Sequence, residues 1–325
     1  MGFWEGKNVL VTGANGFIGS WVADALLENG AKVTALIRDR IPNSELNLSG
    51  NVKKINTVDG SLTDINVIKR ALNEYEVDTV FHLAAQAIVT TANRSPLSTF
   101  ESNIKGTWNI LEACREHRLT ERVVVASSDK AYGDQEKLPY TEDSPLLGLY
   151  PYDASKACAD ILTQSYYNTY QLPIAITRLA NTYGGGDLNF TRIIPDTIRA
   201  ILKNKEPIIR SDGTPVRDYM YAKDAAEGYL VLGENINKVK GQAFNFGNNS
   251  PINVLDLVKE ILKAADSNLK PVIKGKGKSK GEIDKQYLDS TKAEKVLGWK
   301  PKYALNQGLK ETIEWYKLNL DKIEK

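Results

Sequence analysis

A short apolar run at Asn8–Val11 leads into the turn Thr12-Gly13-Ala14-Asn15-Gly16-Phe17-Ile18-Gly19, and apolar residues then recur at helical spacing from Gly19 to Asn29. A strand that passes through spaced glycines into a helix opens a βαβ unit. Gly13 permits the tight turn, Gly16 lets the backbone approach a pyrophosphate, and Gly19 lets the helix pack closely, while the helix start offers unpaired N–H groups to phosphate oxygens. Spaced glycines alone often mark nothing but a turn; the flanking strand and helix give the pattern its meaning. Gly13, Asn15, Gly16, Phe17, Ile18 and Gly19 are therefore the expected dinucleotide contacts of this turn.

Strand and helix patterns continue to alternate: strands at Lys32–Ile37, Thr79–Leu83, Arg122–Ser127 and Ile174–Leu179, with helices at Thr99–His117 and Tyr152–Tyr170. This rhythm predicts an α/β fold, a Rossmann-type doubly wound parallel sheet with helices on both faces. Ligands of such sheets bind beyond the carboxyl ends of the strands, so the residues after Val11, Leu83, Ser127 and Leu179 should converge. The rhythm changes near residue 180, and 325 residues exceed the size at which one core usually stops growing. The expected division is a dinucleotide-binding domain over 1–180, with some later segments returning to it, and a smaller C-terminal α/β lobe over 181–325 that binds substrate.

Composition excludes several partners. Lys+Arg 42 against Asp+Glu 40 leaves a formal charge of +2 with no arginine-rich arm, which argues against nucleic acid. Cys114 and Cys158 both fall in helical patterns, so neither a disulfide framework nor a cysteine metal cluster is expected. The start resembles no signal peptide, Gly2 lacks the myristoylation context, and no run approaches the roughly 18 apolar residues of a membrane span. A cytoplasmic protein that binds no membrane is the expectation.

The candidate chemistry lies in Ser127-Ser128-Asp129-Lys130 and in Tyr152-Asp153-Ala154-Ser155-Lys156. Tyr152 and Lys156 share one helix face at i and i+4. A positive charge there would lower the phenol's pKa toward neutrality and fit Tyr152 to take the proton of a sugar hydroxyl as hydride leaves, with Ser128 orienting that hydroxyl. Asp129 and Lys130, at the end of a central strand, would protonate a leaving hydroxyl and remove a proton alpha to a ketone; an ordinary salt bridge is the bland alternative. At the end of the second strand the acid expected for the adenosine ribose is replaced by Ile37, followed by Arg38. Arg38 would pair with a 2′-phosphate and tilt the cofactor from NAD toward NADP, unless Asp39 turns back onto the ribose.

With these motifs in hand, the chain resembles the extended short-chain dehydrogenase/reductase family of nucleotide-sugar enzymes over nearly its full length. The matching pieces are VTGANGFIG (11–19), HLAAQ (82–86), SNIKGTWNILEAC (102–114), SSDKAYG (127–133), YDASK (152–156), RLANTYGGGD (178–187), RDYMYAKD (217–224) and LGWKP (297–301). Asp129-Lys130, SKAC (155–158) and RIIPD (192–196) look most like CDP-glucose 4,6-dehydratases within it. The resemblance implies oxidation at C4, loss of water across C5 and C6, and hydride return to C6 by a tightly bound, recycled NAD or NADP. It implies Tyr152 as the C4 base, Lys156 as its electrostatic partner, Ser128 as orienter and Asp129 as acid. Lys130 becomes the C5 base, which needs a neutral amine, or a stabiliser of the enolate. Leu83, Ala84, Ala85, Ser61 and Leu62 join the cofactor wall, with Ser61 where the family usually has an adenine-contacting aspartate. Gln86 would contact the sugar, while Asn181, Arg192 and Arg217 would grip the nucleotide diphosphate. A homodimer through helices 99–117 and 152–170 is also implied.

Other readings remain. A nucleotide-sugar 4-epimerase needs Tyr152 and the cofactor but has no hydroxyl to protonate, a UDP-glucuronate decarboxylase would give Lys130 another purpose, and a cofactor-sensing regulator would need no Ser-Tyr-Lys set. No metal is expected: His82 reads as a packed strand-end residue and His117 as a helix-end one. The glycine- and lysine-rich stretch 272–282 reads as a flexible surface loop or a cover for the substrate.

Overall fold

The computed structural model describes residues 2–275 and 283–324. Seven parallel strands form the central sheet. In chain order they are β1 (Asn8–Thr12), β2 (Lys32–Ile37), β3 (Asn56–Asp59), β4 (Thr79–His82), β5 (Arg122–Ser128), β6 (Ile174–Leu179) and β7 (Ala243–Phe246). Their spatial order is β7-β6-β5-β4-β1-β2-β3, so the chain winds outward twice from β1 and the switch point falls between β1 and β4. The inner strands are buried on both faces, which is why Val9-Leu10-Val11 and Val123-Val124-Val125 read as apolar runs and not as alternations.

Helices α1 (Phe17–Glu28), α2 (Ile65–Glu74), α3 (Gly106–Glu116) and α4 (Pro151–Tyr170) cover the sheet. One core lies between the sheet and α1, and the other between the sheet and the pair α2 and α3. The helix expected over 99–117 exists as three consecutive pieces, with a π-helical turn at Glu101–Lys105 leading into α3. β3 and α2 carry no expectation from the sequence: β3 is four residues long with only Val58 buried.

Beyond residue 180, helices α5 (Ile193–Leu202), α7 (Val254–Ala264) and α8 (Leu305–Ile323) pack around Tyr183, Tyr219 and Tyr221 as a separate core. Between them the chain returns twice to the first part: α6 (Ala222–Glu234) packs on α1, and β7 extends the sheet beside β6. Short strands at Val216–Arg217, Ile252–Asn253 and Lys285–Gln286 form a small sheet at the border. Of the stretch expected to loop over the surface, residues 276–282 lie outside the described residues.

Candidate active site

A single cleft of about 840 Å³ runs along the carboxyl ends of β1, β4, β5 and β6 and continues under α5. At its first end stands the glycine turn. Gly13 has φ +76°, and a Cβ on it would lie 2.8 Å from the Ala84 amide nitrogen. A Cβ on Gly19 would lie 2.0 Å from the Gly13 carbonyl oxygen, so the helix approaches the turn only because Gly19 lacks a side chain, while the bare Gly13 lets the turn meet the backbone after β4. No side chain caps the start of α1 at Gly16, which leaves its first N–H groups for an anion. Asn15, Phe17, Ile18, Leu83, Ala84, Ala85, Ser61 and Leu62 complete this end. The cradle fits a dinucleotide pyrophosphate.

Arg38 and Asp39 close the adenosine end, the Arg38 Nε donating to Asp39 at 2.6 Å on the exposed surface. The Asn15 amide donates to the Asp39 carbonyl. Arg40 forks onto both oxygens of Asp59 at 2.8 and 2.7 Å.

At the middle of the cleft, Ser128, Asp129, Lys130, Tyr152 and Lys156 line one wall. Strand β5 ends in Ser128, and a 3₁₀ turn over Asp129–Tyr132 begins with the Lys130 amide donating to the Ser128 hydroxyl oxygen. That hydroxyl donates to Asp129 at 3.0 Å. Asp129 is 3 % exposed, and its second carboxyl oxygen has no partner among the described residues. Burial pushes its pKa up against the opposing influences of Lys130, Ser128 and Arg217. Lys130 donates to the Gln286 side-chain oxygen at 3.0 Å.

The expected lowering of Tyr152 is not found. Burial raises the phenol to about 12, with Arg192 and Ser128 acting in the other direction and Asp129 adding to the rise. Lys156 instead donates its Nζ to the Ala126 carbonyl at 2.7 Å, and burial brings its own pKa down to about 8.

The far end holds Asn181, Arg192 and Arg217. Asn181 has a buried amide nitrogen with no partner among the described residues. Arg192 pairs with Asp187 at 2.9 Å. Arg217 is 7 % exposed and donates to the carbonyls of Val216, Ile283 and Asp284, which fixes its guanidinium in the wall. Gln86 departs from expectation: it does not line the cleft. Its side-chain oxygen turns back to accept from the Ile88 amide, and its backbone exchanges hydrogen bonds with Asn103, so it shapes the loop after β4.

Three charged residues of the cleft went unassigned in the sequence: Asp153, Asp187 and Arg210. The first two sit inside the YDASK and GGGD motifs, which was the available signal; Arg210 lies in no motif. Asp153 is raised to about 6, by burial first and by Asp129, against Lys130. His82 is a packed residue as expected: it lies between the hydroxyls of Thr12 and Thr107 at 2.8 and 3.0 Å, and burial lowers it to about 3. His117 caps the end of α3 and meets Thr120. Among the described residues no cluster of three metal-ligating side chains occurs, and no helix is long and apolar enough to cross a membrane.

A doubly wound sheet, a glycine turn at its switch point and a Ser with Tyr-x-x-x-Lys at the next strand ends define the extended short-chain dehydrogenase/reductase class. Residues 10–312 match the family model described as GDP-mannose 4,6 dehydratase, and the chain belongs to that family. It is 29% identical to the CDP-glucose 4,6-dehydratase of Salmonella typhimurium over 97% of this chain and 92% of that one. It is 31% identical to a trifunctional UDP-glucose 4,6-dehydratase/3,5-epimerase/reductase of Arabidopsis thaliana, over 98% of this chain but 48% of that protein, so it spans about half of that relative's length. Among solved structures, the UDP-glucose 4-epimerase of Thermotoga maritima with UDP-glucose superposes with a TM-score of 0.89 at 31% identity, covering 96% of this chain and 99% of that one. The dTDP-glucose 4,6-dehydratase of Bacillus anthracis in complex with NAD does so at 0.85 and 26% identity, covering 97% and 98%.

Proposed function

We propose that this protein is a nucleotide-sugar 4,6-dehydratase that converts an NDP-hexose, CDP-glucose by preference, to the NDP-4-keto-6-deoxyhexose. The observation that carries this reading is Asp129, a buried carboxyl with a raised pKa and an unpartnered oxygen, set in the same cleft wall as Tyr152 and Lys156. An epimerase has no use for such an acid, whereas a hydroxyl leaving C6 needs a proton.

A bound nicotinamide would supply the exchange of hydride with C4 and C6. In this reading Tyr152 takes the C4 hydroxyl proton, Ser128 orients that hydroxyl, and Lys156 holds its charge beside the cofactor ribose. Lys130 removes the C5 proton, the C5–H electron pair becomes the C5–C6 double bond, and the C6 oxygen leaves with the proton of Asp129 as water. Asn181, Arg192 and Arg217 bear on the diphosphate, where guanidinium forks suit paired oxygens. The glycine turn, Ser61, Leu62 and Leu83–Ala85 hold the dinucleotide, and Arg38 tilts the choice toward NADP. The working form is a cytoplasmic homodimer; both cysteines are free, and exposed apolar residues lie on helices that pack side by side. Substrate binding in the lobe over 181–325 and dinucleotide binding in the preceding part follow from the same reading.

The likeness to the UDP-glucose 4-epimerase structure favours 4-epimerisation as the second reading. Incubating the protein with CDP-, dTDP-, UDP- and GDP-hexoses and resolving products by NMR separates the two. A 4-keto-6-deoxy sugar supports dehydration; inversion at C4 of any of them, without that product, rejects it.

A further inference from the structure

Lys130 and Gln286 lie 156 positions apart in the chain, yet the Lys130 ammonium donates to the Gln286 side-chain oxygen at 3.0 Å. Gln286 is fully buried, and its amide nitrogen has no hydrogen-bond partner among the described residues. Its backbone is held from two sides. Gln286 pairs with Arg217 in the small border sheet, and Arg217 itself donates to the carbonyls of Ile283 and Asp284. On the other side, the Tyr140 amide donates to the Tyr287 carbonyl and the Asp289 amide to the Tyr140 carbonyl. A residue fixed so firmly with its amide nitrogen unsatisfied calls for an explanation.

We propose that Gln286 is a positioning residue for Lys130, holding the amine at the cleft wall through an acceptor that carries no charge. This rests on the dehydratase reading, in which Lys130 takes the C5 proton. Before that step the amine must be neutral and afterwards it is an ammonium; the amide oxygen accepts an N–H from either form. A carboxylate at the same point would hold the ammonium and oppose proton release. The titratable and charged groups around the pair include Asp129 and Asp153, each of which senses Lys130, with Arg217, Tyr152, Tyr140 and Asp218 coupled to Asp129. A carboxylate in place of the Gln286 amide would add an anion directly against the Lys130 amine.

The test compares wild type with Gln286→Glu, of nearly the same shape, by trace acetylation of lysines across pH and mass spectrometry of the Lys130 peptide. The expected result is a midpoint for Lys130 reactivity raised by about one pH unit or more, with kcat for the elimination reduced about tenfold and KM unchanged. An unmoved midpoint overturns the proposal. If Gln286→Glu does not fold, Gln286→Met removes the acceptor without adding charge; Lys130 should then label about threefold faster or more at high pH, and an unchanged rate overturns the proposal equally. Should wild type form no 4-keto-6-deoxy product, the dehydratase reading fails, while the labelling comparison still decides whether Gln286 holds Lys130.

Discussion

The Lys156 ammonium donates to the Ala126 carbonyl at 2.7 Å. This bond ties the second turn of α4 to strand β5 immediately before Ser127-Ser128-Asp129, so the helix carrying Tyr152 and the strand carrying the serine cannot shift independently. The two halves of the constellation, distant in sequence, become one wall.

Tyr152 sits at about 12, and burial alone would leave it a poor base near neutrality. Its action therefore depends on the charges around it, Arg192 in the present geometry. Tyr152→Phe should lower turnover by about 10²-fold or more while leaving the urea midpoint in place. Product formation and urea titration check this together; a Phe variant that turns over normally sinks the assignment of the base.

The glycine turn makes a claim about packing as well as about phosphate. With a Cβ on Gly19 2.0 Å from the Gly13 carbonyl oxygen, Gly19→Ala forces α1 away from β1. Overpacking of this kind costs about 1–3 kcal/mol, and the cradle opens at the same time. The expected outcome is a lower urea midpoint and loss of co-purifying dinucleotide, read by absorbance of the denatured protein's supernatant. A variant with wild-type stability would show that the helix yields freely.

His82 predicts a pH effect whose direction is fixed. The Thr107 hydroxyl donates to the Asn103 carbonyl and the Thr12 hydroxyl oxygen accepts from the Ala84 amide, which suits a neutral ring with one proton on Nε2. Its folded pKa is about 3 against 6.5 for the free side chain, so the unfolded chain binds the extra proton first. The stability this residue contributes is present above pH 6.5 and is lost as pH falls toward 3, on the order of 5 kcal/mol in full. His82→Gln should be flatter than wild type across that window in urea titrations at stepped pH. Parallel curves would refute the assignment.

Strands β1, β2, β4, β5 and β6 and helices α1 and α4 were legible in the sequence because the inner strands are dense apolar runs and these helices carry a repeated apolar face. β3 was not, since an edge strand reading Asn-Thr-Val-Asp buries one residue and leaves little pattern. The site residues were legible where they sit at strand ends or in motifs, as Ser128, Asp129 and Lys156 do. Gln86 misled because its motif position says nothing of its rotamer, and the neighbouring Ile88 amide captured its side chain. Partners of Lys130 and Arg217 at residues 283–286 are remote in sequence and without local signal. The Tyr152 expectation failed for a different reason: sequence shows which charges are near, but not how much water is lost.

The adenosine end offers a test of cofactor choice. Among the described residues Arg38 pairs with its exposed neighbour Asp39, and surface pairs of this kind are worth little, so its guanidinium is available to a 2′-phosphate. Arg40 turns away from it, one Nη donating to both oxygens of Asp59. Arg38→Ser should therefore weaken NADP⁺ about tenfold with NAD⁺ nearly unaffected, as measured by calorimetry on cofactor-stripped protein. Equal loss for both nucleotides, or none, would remove the case for NADP.

The exposed faces of α3 and α4 carry the last prediction. These helices pack side by side, and Trp108 at 43% and Ile161 at 55% exposure are left outward, with Leu97 at 73% just before them. Large apolar side chains grouped on adjacent helices gain about 25 cal/mol per Å² when a second surface removes them from water. A second copy meeting this face across a two-fold axis would pair α3 and α4 with their own equivalents, so each substitution acts twice. Ile161→Glu would bring two carboxylates into that contact, where like charges repel and both must shed water. Light scattering should then report a dimer for wild type and a monomer for the variant, with the far-ultraviolet dichroism unchanged because Ile161 supports no internal core. A wild-type monomer, or a variant that stays dimeric, would move the contact to another face or remove it.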